Sequence, residues 1–330
     1  MATRTLQTTD HKLLAAGEWI ETGAWDEVPS PYDQSVVGRV AQGDEALVNR
    51  AVEAAHEAFS SADFPQHKRA AVLDRAAELA GERVEELALT IASEAGKPLK
   101  TATVEAQRCV DTLTFSATEA RKLTGGTVPM DASPAGVGKL GVMMRVPYGV
   151  VGAISPFNFP LNLVAHKIAP ALAAGCAVVL KPAGQTPLSA LTLAELQDEA
   201  GLPPGWLNVL VGPASEIGDV LVEDERVKAI TFTGSSEVGW GIRERAARKK
   251  VLLELGNATP VIVHDDADVT DAATKLAAHA FSFAGQSCIS VQRIYVQKSA
   301  YDEFVAGFVP KVEELVVGDP SDPETDVGPV

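Results

Sequence analysis

The 330-residue sequence is poor in aromatic residues, in cysteine and in positive charge. Aromatic residues make up 5 % of it and hydrophobic residues 46 %, so the core is expected to consist of Ala, Val, Leu and Ile. Three cysteines, at positions 109, 176 and 288, are too few, and odd in number, to indicate a disulfide framework. The formal net charge of −16 argues against a nucleic-acid partner.

Long apolar runs are also lacking. The longest, from Ile168 to Leu180, has 13 residues and contains Pro170 and Gly175, whereas a membrane-spanning helix needs about 20. Residues 1–12 are polar and have no apolar segment of the kind found in secretory signals. We therefore expect a cytoplasmic protein with no membrane partner.

The first part of the chain is dominated by helical periodicity, from Asp44 to about Leu123. Three long helices are predicted, of which the second runs from Pro65 to the break at Gly96 and the third from about Thr101. Residues 26–31 are interpreted as a turn-rich stretch between short strands. Residues 124–148, which begin near a Gly-Gly pair, are predicted to form a projecting strand pair for oligomerisation.

From Gly149 onwards short apolar strands alternate with helices. The predicted strands are 150–154, 177–180, 207–211, 229–232 and 251–255, and the helices between them are 161–174, 189–200, a short one near 217 and 236–249. This alternation predicts an α/β fold with a doubly wound parallel sheet, covered on both faces, whose ligands bind beyond the carboxyl ends of the strands. We assign residues 1–123 and 149–255 to a nucleotide-binding domain. Residues 256–330, with strands 261–263 and 293–297 and helices 268–283 and 301–315, are assigned to the first part of a second, catalytic α/β domain.

Cys288 follows Gly285, which is expected to end the preceding helix, so the cysteine lies in a helix-to-strand connection. Thiolates attack carbonyl groups well, and loops held by rigid elements are common positions for reactive groups. The alternative is a small cysteine buried in the core. Cys176, which begins an apolar strand, and Cys109, within a helix, are interpreted as core residues.

Two further polar residues follow predicted strands. Glu254 ends the strand 251–254, where a carboxylate can act as a general base, although a solvated strand end has the same appearance. Asn158 lies in a loop fixed by Pro156 and Pro160, and its amide can donate to a developing oxyanion or merely satisfy its own turn.

Nucleotide binding has weaker local signals. No Gly-x-Gly-x-x-Gly fingerprint follows a predicted strand, and there is no Walker A lysine motif. Lys181 ends a strand, where it suits a phosphate or ribose, although a solvated lysine has the same appearance. Gly234 and Ser235 precede a helix whose first amides can hold a pyrophosphate. The basic residues between 243 and 250 are interpreted as an exposed helix face.

Five motifs taken in order resemble the aldehyde dehydrogenase superfamily. They are PFNFP (156–160), LKP (180–182), FTGS (232–235), LELG (253–256) and GQSC (285–288), and residues 326–329 also match a family segment. The resemblance extends over essentially the whole chain. It implies that the protein oxidises an aldehyde to a carboxylic acid through a cysteine thioester, with NAD or NADP as hydride acceptor.

The resemblance also implies roles for single residues. Cys288 would be the nucleophile, Asn158 an oxyanion donor together with the Cys288 backbone amide, and Glu254 the base that activates water; Lys167 would have a supporting polar role. The implied cofactor-binding residues are Ser155, Pro156, Phe157, Lys181, Gly184, Gly234, Ser235 and Leu255, and those on the substrate side are Phe157, Asn162 and Ile289. No metal is implied, and a homodimer or homotetramer is expected.

Three features depart from the family pattern. Gly184 stands where NAD-preferring relatives commonly have a glutamate, which favours NADP or dual use, and Asn257-Ala258 stands where many relatives have Gly-Lys. The chain also ends before the remainder of the catalytic domain found in family members. We expect residues 1–330 alone to be poorly soluble and weakly active, since a sheet edge would be left unpaired. The stretch from Gly285 to Arg293 resembles branches that act on small, often anionic aldehydes such as semialdehydes.

Three other functions remain open from the sequence. A CoA-acylating relative would pass the thioester to a thiol, although Glu254 argues against it because no water then needs activation. A non-catalytic cofactor-binding remnant is opposed by the intact set of Cys288, Glu254 and Asn158. A plain cysteine hydrolase would need no nucleotide.

Overall fold

The computed structural model describes residues 9–61, 63–246 and 248–330. Residues 1–8, which carry most of the prediction made for the N-terminal segment, lie outside the described residues. The strands are Thr9–His11 (β1), Leu13–Ala15 (β2), Glu18–Ile20 (β3), Trp25–Pro29 (β4), Val36–Ala41 (β5), Gly126–Val128 (β6), Gly141–Met143 (β7), Val150–Ile154 (β8), Ala177–Lys181 (β9), Leu207–Val209 (β10), Val227–Thr233 (β11), Lys250–Glu254 (β12), Pro260–Val263 (β13) and Arg293–Val296 (β14).

The α-helices of the described part are Glu45–Ser61 (α1), Gln66–Glu82 (α2), Val84–Ala95 (α3), Leu99–Lys122 (α4), Asn162–Ala174 (α5), Leu188–Glu199 (α6), Asp219–Glu223 (α7), Ser236–Arg245 (α8), Val269–Phe281 (α9) and Tyr301–Glu313 (α10). None of these is long and apolar enough to cross a membrane. Together with the strands, these helices confirm the predicted α/β fold class.

The main sheet has seven strands in the order β12-β11-β8-β9-β10-β2-β3. The first five are mutually parallel, while β2 pairs antiparallel with β10 and β3 with β2. After β8 the chain adds β9 and then β10 on one side of that strand. It then crosses to the other side of β8 and adds β11 and β12 there. The strand order thus reverses between β8 and β11, which is where open parallel sheets bind their ligands.

The core of this sheet is built from small and branched apolar residues. Strands β8, β9 and β10 are buried along nearly their whole length, because helices cover both faces. A separate, smaller core lies among β13, β14, α9 and α10, around Val263, Leu276 and Phe304. The strand pair β6-β7 is antiparallel and forms a sheet of its own.

Several local predictions were wrong. Residues 26–31 are not only a turn, because β4 extends through Asp26 to Pro29 and pairs with β5. The predicted second helix is two helices, since the backbone at Arg83 leaves the helical region and separates α2 from α3. The helix predicted over 236–249 ends at Arg245, and the helix predicted over 268–283 ends at Phe281.

The basic stretch 243–250 is correspondingly not one helix face. Lys249 donates to the carbonyl of Asp224, 2.7 Å away, and Lys250 is already the first residue of β12. Arg245 forms an ion pair with Asp219. Of the basic stretch 243–250, only the residues up to Arg245 therefore lie on a helix.

Candidate active site

Several of the proposed site residues lie on or directly after strands that end at one edge of the main sheet. Ile154, the last residue of β8, is paired with Lys181 of β9 and with Phe232 of β11. Thr233 of β11 is paired in turn with Glu254 of β12. Since parallel strands end on the same side, the loops that follow these four strands surround one region.

Asn158 connects two distant parts of the chain. It lies in the loop of residues 155–161 between β8 and α5, here called the amide loop. Its Nδ2 donates to the carbonyl oxygen of Gln286 over 2.6 Å, although the residues are 128 positions apart. The side chain is 9 % exposed, and its Oδ1 is buried with no hydrogen-bond partner among the described residues. One of its two amide hydrogens therefore remains for another acceptor.

Cys288 lies in the connection of residues 282–292 between α9 and β14, here called the nucleophile loop. Its side chain is exposed, whereas Cys109 and Cys176 are buried, as predicted. Burial raises the pKa of the Cys109 thiol, so this sulfur is inert at neutral pH. Among the three cysteines, only Cys288 is exposed, and it lies two residues after Gln286, whose carbonyl accepts from Asn158.

The nucleophile loop begins with an unusual backbone. Phe283 and Ala284 have φ angles of 50° and 54°, and Gly285 follows with 77°. Left-handed conformations at two successive non-glycine residues are strained and persist only where surrounding contacts hold them. This reversal ends α9 two residues earlier than the prediction and directs the chain back towards the amide loop.

Glu254 is exposed at the end of β12, and its carbonyl accepts from the backbone N–H of Gly234, 3.0 Å away. Below it lies Lys167 of α5, which is 5 % exposed and donates to Thr233 Oγ1 over 2.7 Å. Burial lowers the pKa of Lys167 to about 8, and the nearby Glu254 carboxylate opposes that change. Among the described residues no hydrogen bond joins Glu254 to Cys288 or Asn158.

Asn257 makes a contact that the sequence did not reveal. Its Nδ2 lies 3.5 Å from the carbonyl oxygen of Ser287, and its Oδ1 accepts from the hydroxyl of Thr259. The connection between β12 and β13 thereby reaches the residue before Cys288. The sequence marked Asn257 only as a departure from the family pattern, because no local signal identifies a partner 30 positions away.

On the cofactor side, Lys181 is 9 % exposed, and burial lowers the pKa of its ammonium. The one hydrogen bond that the described residues offer its Nζ is to the carbonyl of Pro182, at 3.4 Å. The hydroxyl of Ser155 is buried and has no partner among the described residues. A buried ammonium and a buried hydroxyl with unused capacity are suited to the hydroxyl groups of a bound ribose.

Three glycines shape the neighbouring surface. A Cβ on Gly234 would lie 2.5 Å from the ring of Phe232, and one on Gly239 would lie 2.5 Å from Leu255. Larger residues would therefore displace the start of α8, where the Ser235 hydroxyl accepts from the amide of Val238. Gly184, in contrast, lies in an exposed turn with nothing within 4 Å of an added Cβ.

The residues predicted on the substrate side have different environments. Phe157 and Ile289 are 37 % and 72 % exposed. Asn162 is buried at the start of α5, and its Oδ1 accepts from the hydroxyl of Thr112 on α4 over 2.9 Å. A separate exposed group, His264, Asp265 and Asp266, has its ligand atoms within 4.8 Å of one another and lies after β13.

A mostly parallel α/β sheet whose strand order reverses between β8 and β11 is an architecture that binds nucleotides in many proteins. The family model described as "Aldehyde dehydrogenase family" matches residues 19–330. The chain belongs to the aldehyde dehydrogenase family, which confirms the resemblance found in its motifs.

Similar proteins have related names. The chain is 46 % identical to a 3-sulfolactaldehyde dehydrogenase of Priestia aryabhattai, over 98 % of this chain and 68 % of that protein. It is 39 % identical to a D-glyceraldehyde dehydrogenase (NADP(+)) of Thermoplasma acidophilum, over 97 % of this chain and 65 % of that one. A crystal structure of aldehyde dehydrogenase 21 from Physcomitrella patens with the product succinate superposes with a TM-score of 0.94 at 38 % identity, covering 98 % of this chain and 68 % of that chain. The chain thus spans about two thirds of the length of these proteins.

Proposed function

We propose that the protein oxidises a small aldehyde to a carboxylic acid with NAD or NADP, through a thioester on Cys288. The observation that carries this proposal is the hydrogen bond from Asn158 to Gln286, two residues before the exposed thiol. It joins the loop that follows β8 to the loop that carries the exposed thiol, which supports a site formed by both loops. Membership of the aldehyde dehydrogenase family supports the same chemistry.

The first step is addition of the Cys288 thiolate to the aldehyde carbon, which places negative charge on the former carbonyl oxygen. The remaining hydrogen of the Asn158 amide and the backbone N–H of Cys288 would stabilise this oxyanion. Collapse of the tetrahedral adduct releases hydride and leaves an acyl thioester on sulfur. The nicotinamide, when bound, supplies the acceptor for that hydride.

Hydrolysis of the thioester needs an activated water. Glu254 is exposed at the end of β12 and can take a proton from that water. Lys167, whose pKa is lowered by burial, lies close enough for its charge to interact with the Glu254 carboxylate.

The dinucleotide would be held by the loops that follow β8, β9, β11 and β12. Ser155 and Lys181 fit a ribose through their unused polar capacity, and Gly234 and Ser235 at the start of α8 fit the pyrophosphate. Pro156, Phe157 and Leu255 would line the same crevice. Gly184 leaves open space for a 2′-phosphate, which favours NADP or dual use.

We propose a small, anionic aldehyde as the substrate class. The name of the Priestia relative, a 3-sulfolactaldehyde dehydrogenase, supports this proposal. Phe157, in the amide loop, and Ile289, in the nucleophile loop, are exposed and would contact the aldehyde directly. Asn162, which accepts a hydrogen bond from Thr112, would not touch the aldehyde. It would fix the start of α5 against α4.

The remaining expectations are also proposals. Residues 1–123 and 149–255 would form the nucleotide-binding domain, 124–148 the oligomerisation strand pair, and 256–330 part of the catalytic domain. Around β6-β7, Leu140, Met144 and Val146 are 83 %, 78 % and 77 % exposed, as expected for a surface that a homodimer or homotetramer would cover. We also propose a cytoplasmic location.

The experiment is a spectrophotometric panel on the full-length protein, with small anionic and neutral aldehydes against NAD and NADP. We expect reduced cofactor to form with at least one anionic aldehyde, and Cys288→Ser to abolish its formation. Equal rates for the wild type and Cys288→Ser would refute the proposal. If acyl-CoA forms when CoA is added, the second step is transfer of the acyl group to CoA and not hydrolysis.

A further inference from the structure

Lys97, in the connection between α3 and α4, is a lysine side chain that is only 1 % exposed. It forms an ion pair with Glu105 of α4, whose side chain is fully buried. Burying two charges is costly unless their geometry is well satisfied by further contacts. The other charged groups that act on this cluster are Glu94, close to Glu105, and Arg108, close to Lys97.

The ammonium of Lys97 lies between two aromatic rings. Its Nζ is 3.6 Å from the ring centroid of Phe159 and 4.6 Å from that of Phe283. Phe159 follows Asn158 directly in the amide loop. Phe283 is the second residue of the nucleophile loop, five residues before Cys288. One buried cation therefore contacts both loops that carry the proposed chemistry.

Glu105 holds the far end of the amide loop. Its Oε1 accepts from the backbone N–H groups of Leu161 and Asn162, each 3.1 Å away. These are the last residue of the loop and the first residue of α5. The carboxylate thus caps that helix while its other oxygen accepts from Lys97.

The contact between the Lys97 ammonium and the Phe283 ring also bears on the strained backbone at Phe283. Its ring is 2 % exposed, and its φ of 50° is unfavourable for a bulky residue unless the side chain is held in place. If the ring loses the ammonium beneath it, the turn at Phe283 and Ala284 can relax. The nucleophile loop would then move relative to Asn158.

We propose that Lys97 is a positioning residue: its ammonium clamps Phe159 and Phe283 so that the Cys288 thiol and the Asn158 amide stay around one carbonyl. The kinetic consequence rests on the proposed function, whereas the clamp between the two loops does not. A displacement of about 1 Å at a reacting group can reduce the rate on the order of 100-fold.

The main test variant is Lys97→Met combined with Glu105→Gln, in the full-length protein. Glutamine keeps an oxygen for the amides of Leu161 and Asn162, and no charge is left buried without a partner. Phe283→Leu is an independent variant that keeps the ion pair and removes the ring. Lys100→Met is the matched control, because Lys100 forms an exposed ion pair with Asp326 and contacts neither loop.

Circular dichroism first establishes which variants are folded. In these we expect kcat to fall on the order of 100-fold for the double variant and for Phe283→Leu, with KM and cofactor Kd nearly unchanged. Lys100→Met should retain the kcat of the wild type. Folded test variants with kcat within about twofold of the wild type would overturn the clamp, and if the double variant does not fold, Phe283→Leu decides.

A second measurement separates this proposal from the proposed function. The rate at which iodoacetamide alkylates the peptide containing Cys288, followed by mass spectrometry across a range of pH, reports on this exposed thiol; Cys109 and Cys176 are buried. The clamp predicts a changed alkylation profile in both test variants and an unchanged one in Lys100→Met, whether or not any aldehyde is oxidised. Identical profiles in all proteins contradict the clamp, whereas a changed profile in an enzyme that oxidises no aldehyde supports the clamp and refutes the proposed function.

Discussion

The Asn158 side chain donates to the Gln286 carbonyl over 2.6 Å, which joins the loop after the first strand of the parallel sheet to the loop that carries the exposed cysteine. This bond uses one hydrogen of the amide and fixes the direction of the other. A donor that is oriented before the substrate arrives has no reorganisation to undergo when negative charge develops. In the proposed mechanism Asn158 therefore has both a structural and a catalytic task.

Asn158→Ala should remove both tasks. We expect kcat to fall on the order of 100-fold to 1000-fold, or about 3 to 4 kcal/mol, as for the loss of one oxyanion donor. Asn49→Ala, which alters an exposed amide on α1, is the control and should change kcat less than twofold. Steady-state kinetics with a substrate found in the aldehyde panel provide the measurement. A kcat for Asn158→Ala close to that of Asn49→Ala would show that this amide does not stabilise the transition state.

Gly184→Glu should shift the cofactor preference towards NAD. The turn has open space for a longer side chain, so the substitution should fold, and a carboxylate there would repel a 2′-phosphate and accept from the ribose hydroxyls. We expect the ratio of kcat/KM for NADP over NAD to fall at least tenfold, which is about 1.4 kcal/mol.

Gly184→Gln is the matched control, because it adds nearly the same volume without the charge. If repulsion is the cause, the glutamine variant should lose far less NADP activity than the glutamate variant. Equal losses in both variants would assign the effect to volume instead. No change in either would show that the adenosine ribose does not bind next to this turn.

Lys167 should make the stability of the protein depend on pH. Burial lowers its pKa from 10.5 to about 8 in the folded state, so between these values the unfolded state binds more protons. The free energy of unfolding should therefore rise with pH across this window, by up to about 3 kcal/mol at roughly 1.4 kcal/mol for each pH unit. Below pH 8 the ammonium is charged in both states, and its desolvation counts against folding.

Urea unfolding of the wild type and of Lys167→Met at several pH values from about 7 to 10.5 measures this effect. The difference between the two proteins isolates Lys167 from other groups that titrate in the same range. As the pH rises, we expect the free energy of unfolding of the wild type to increase relative to that of Lys167→Met. A constant difference across the window would place the pKa of Lys167 near its ordinary value.

The sequence predicted the sheet well because strands β8 and β9 are apolar along almost their whole length, and such runs separated by helices have few alternative folds. It predicted β4 poorly, since Pro29 and the acidic residues before it are typical of turns. The pairing of β4 with β5 outweighs that local preference. The break at Arg83 was also missed, because the apolar periodicity continues from α2 into α3.

The candidate site has a different standing. Cys288, Glu254 and Asn158 were proposed because each follows or precedes a regular element in a pattern that resembles one family, and their catalytic roles stay predictions. Lys97 was not found, because a lysine beside Gly96 has the local appearance of a solvated helix end. Its burial and its two aromatic neighbours arise only from contacts between segments far apart in the sequence.

The central claim is that the reaction passes through an acyl thioester on residue 288, and trapping that species tests it most directly. The variant Glu254→Gln keeps the volume of the base but cannot activate water, so the thioester should accumulate. The full-length variant would be mixed with aldehyde and cofactor, quenched with acid and digested for mass spectrometry. We predict that the peptide containing Cys288 gains the mass of the acyl group, and only when the cofactor is present. Turnover by the wild type with no acyl group on Cys288 of the variant, or with the acyl group on another residue, would contradict the account.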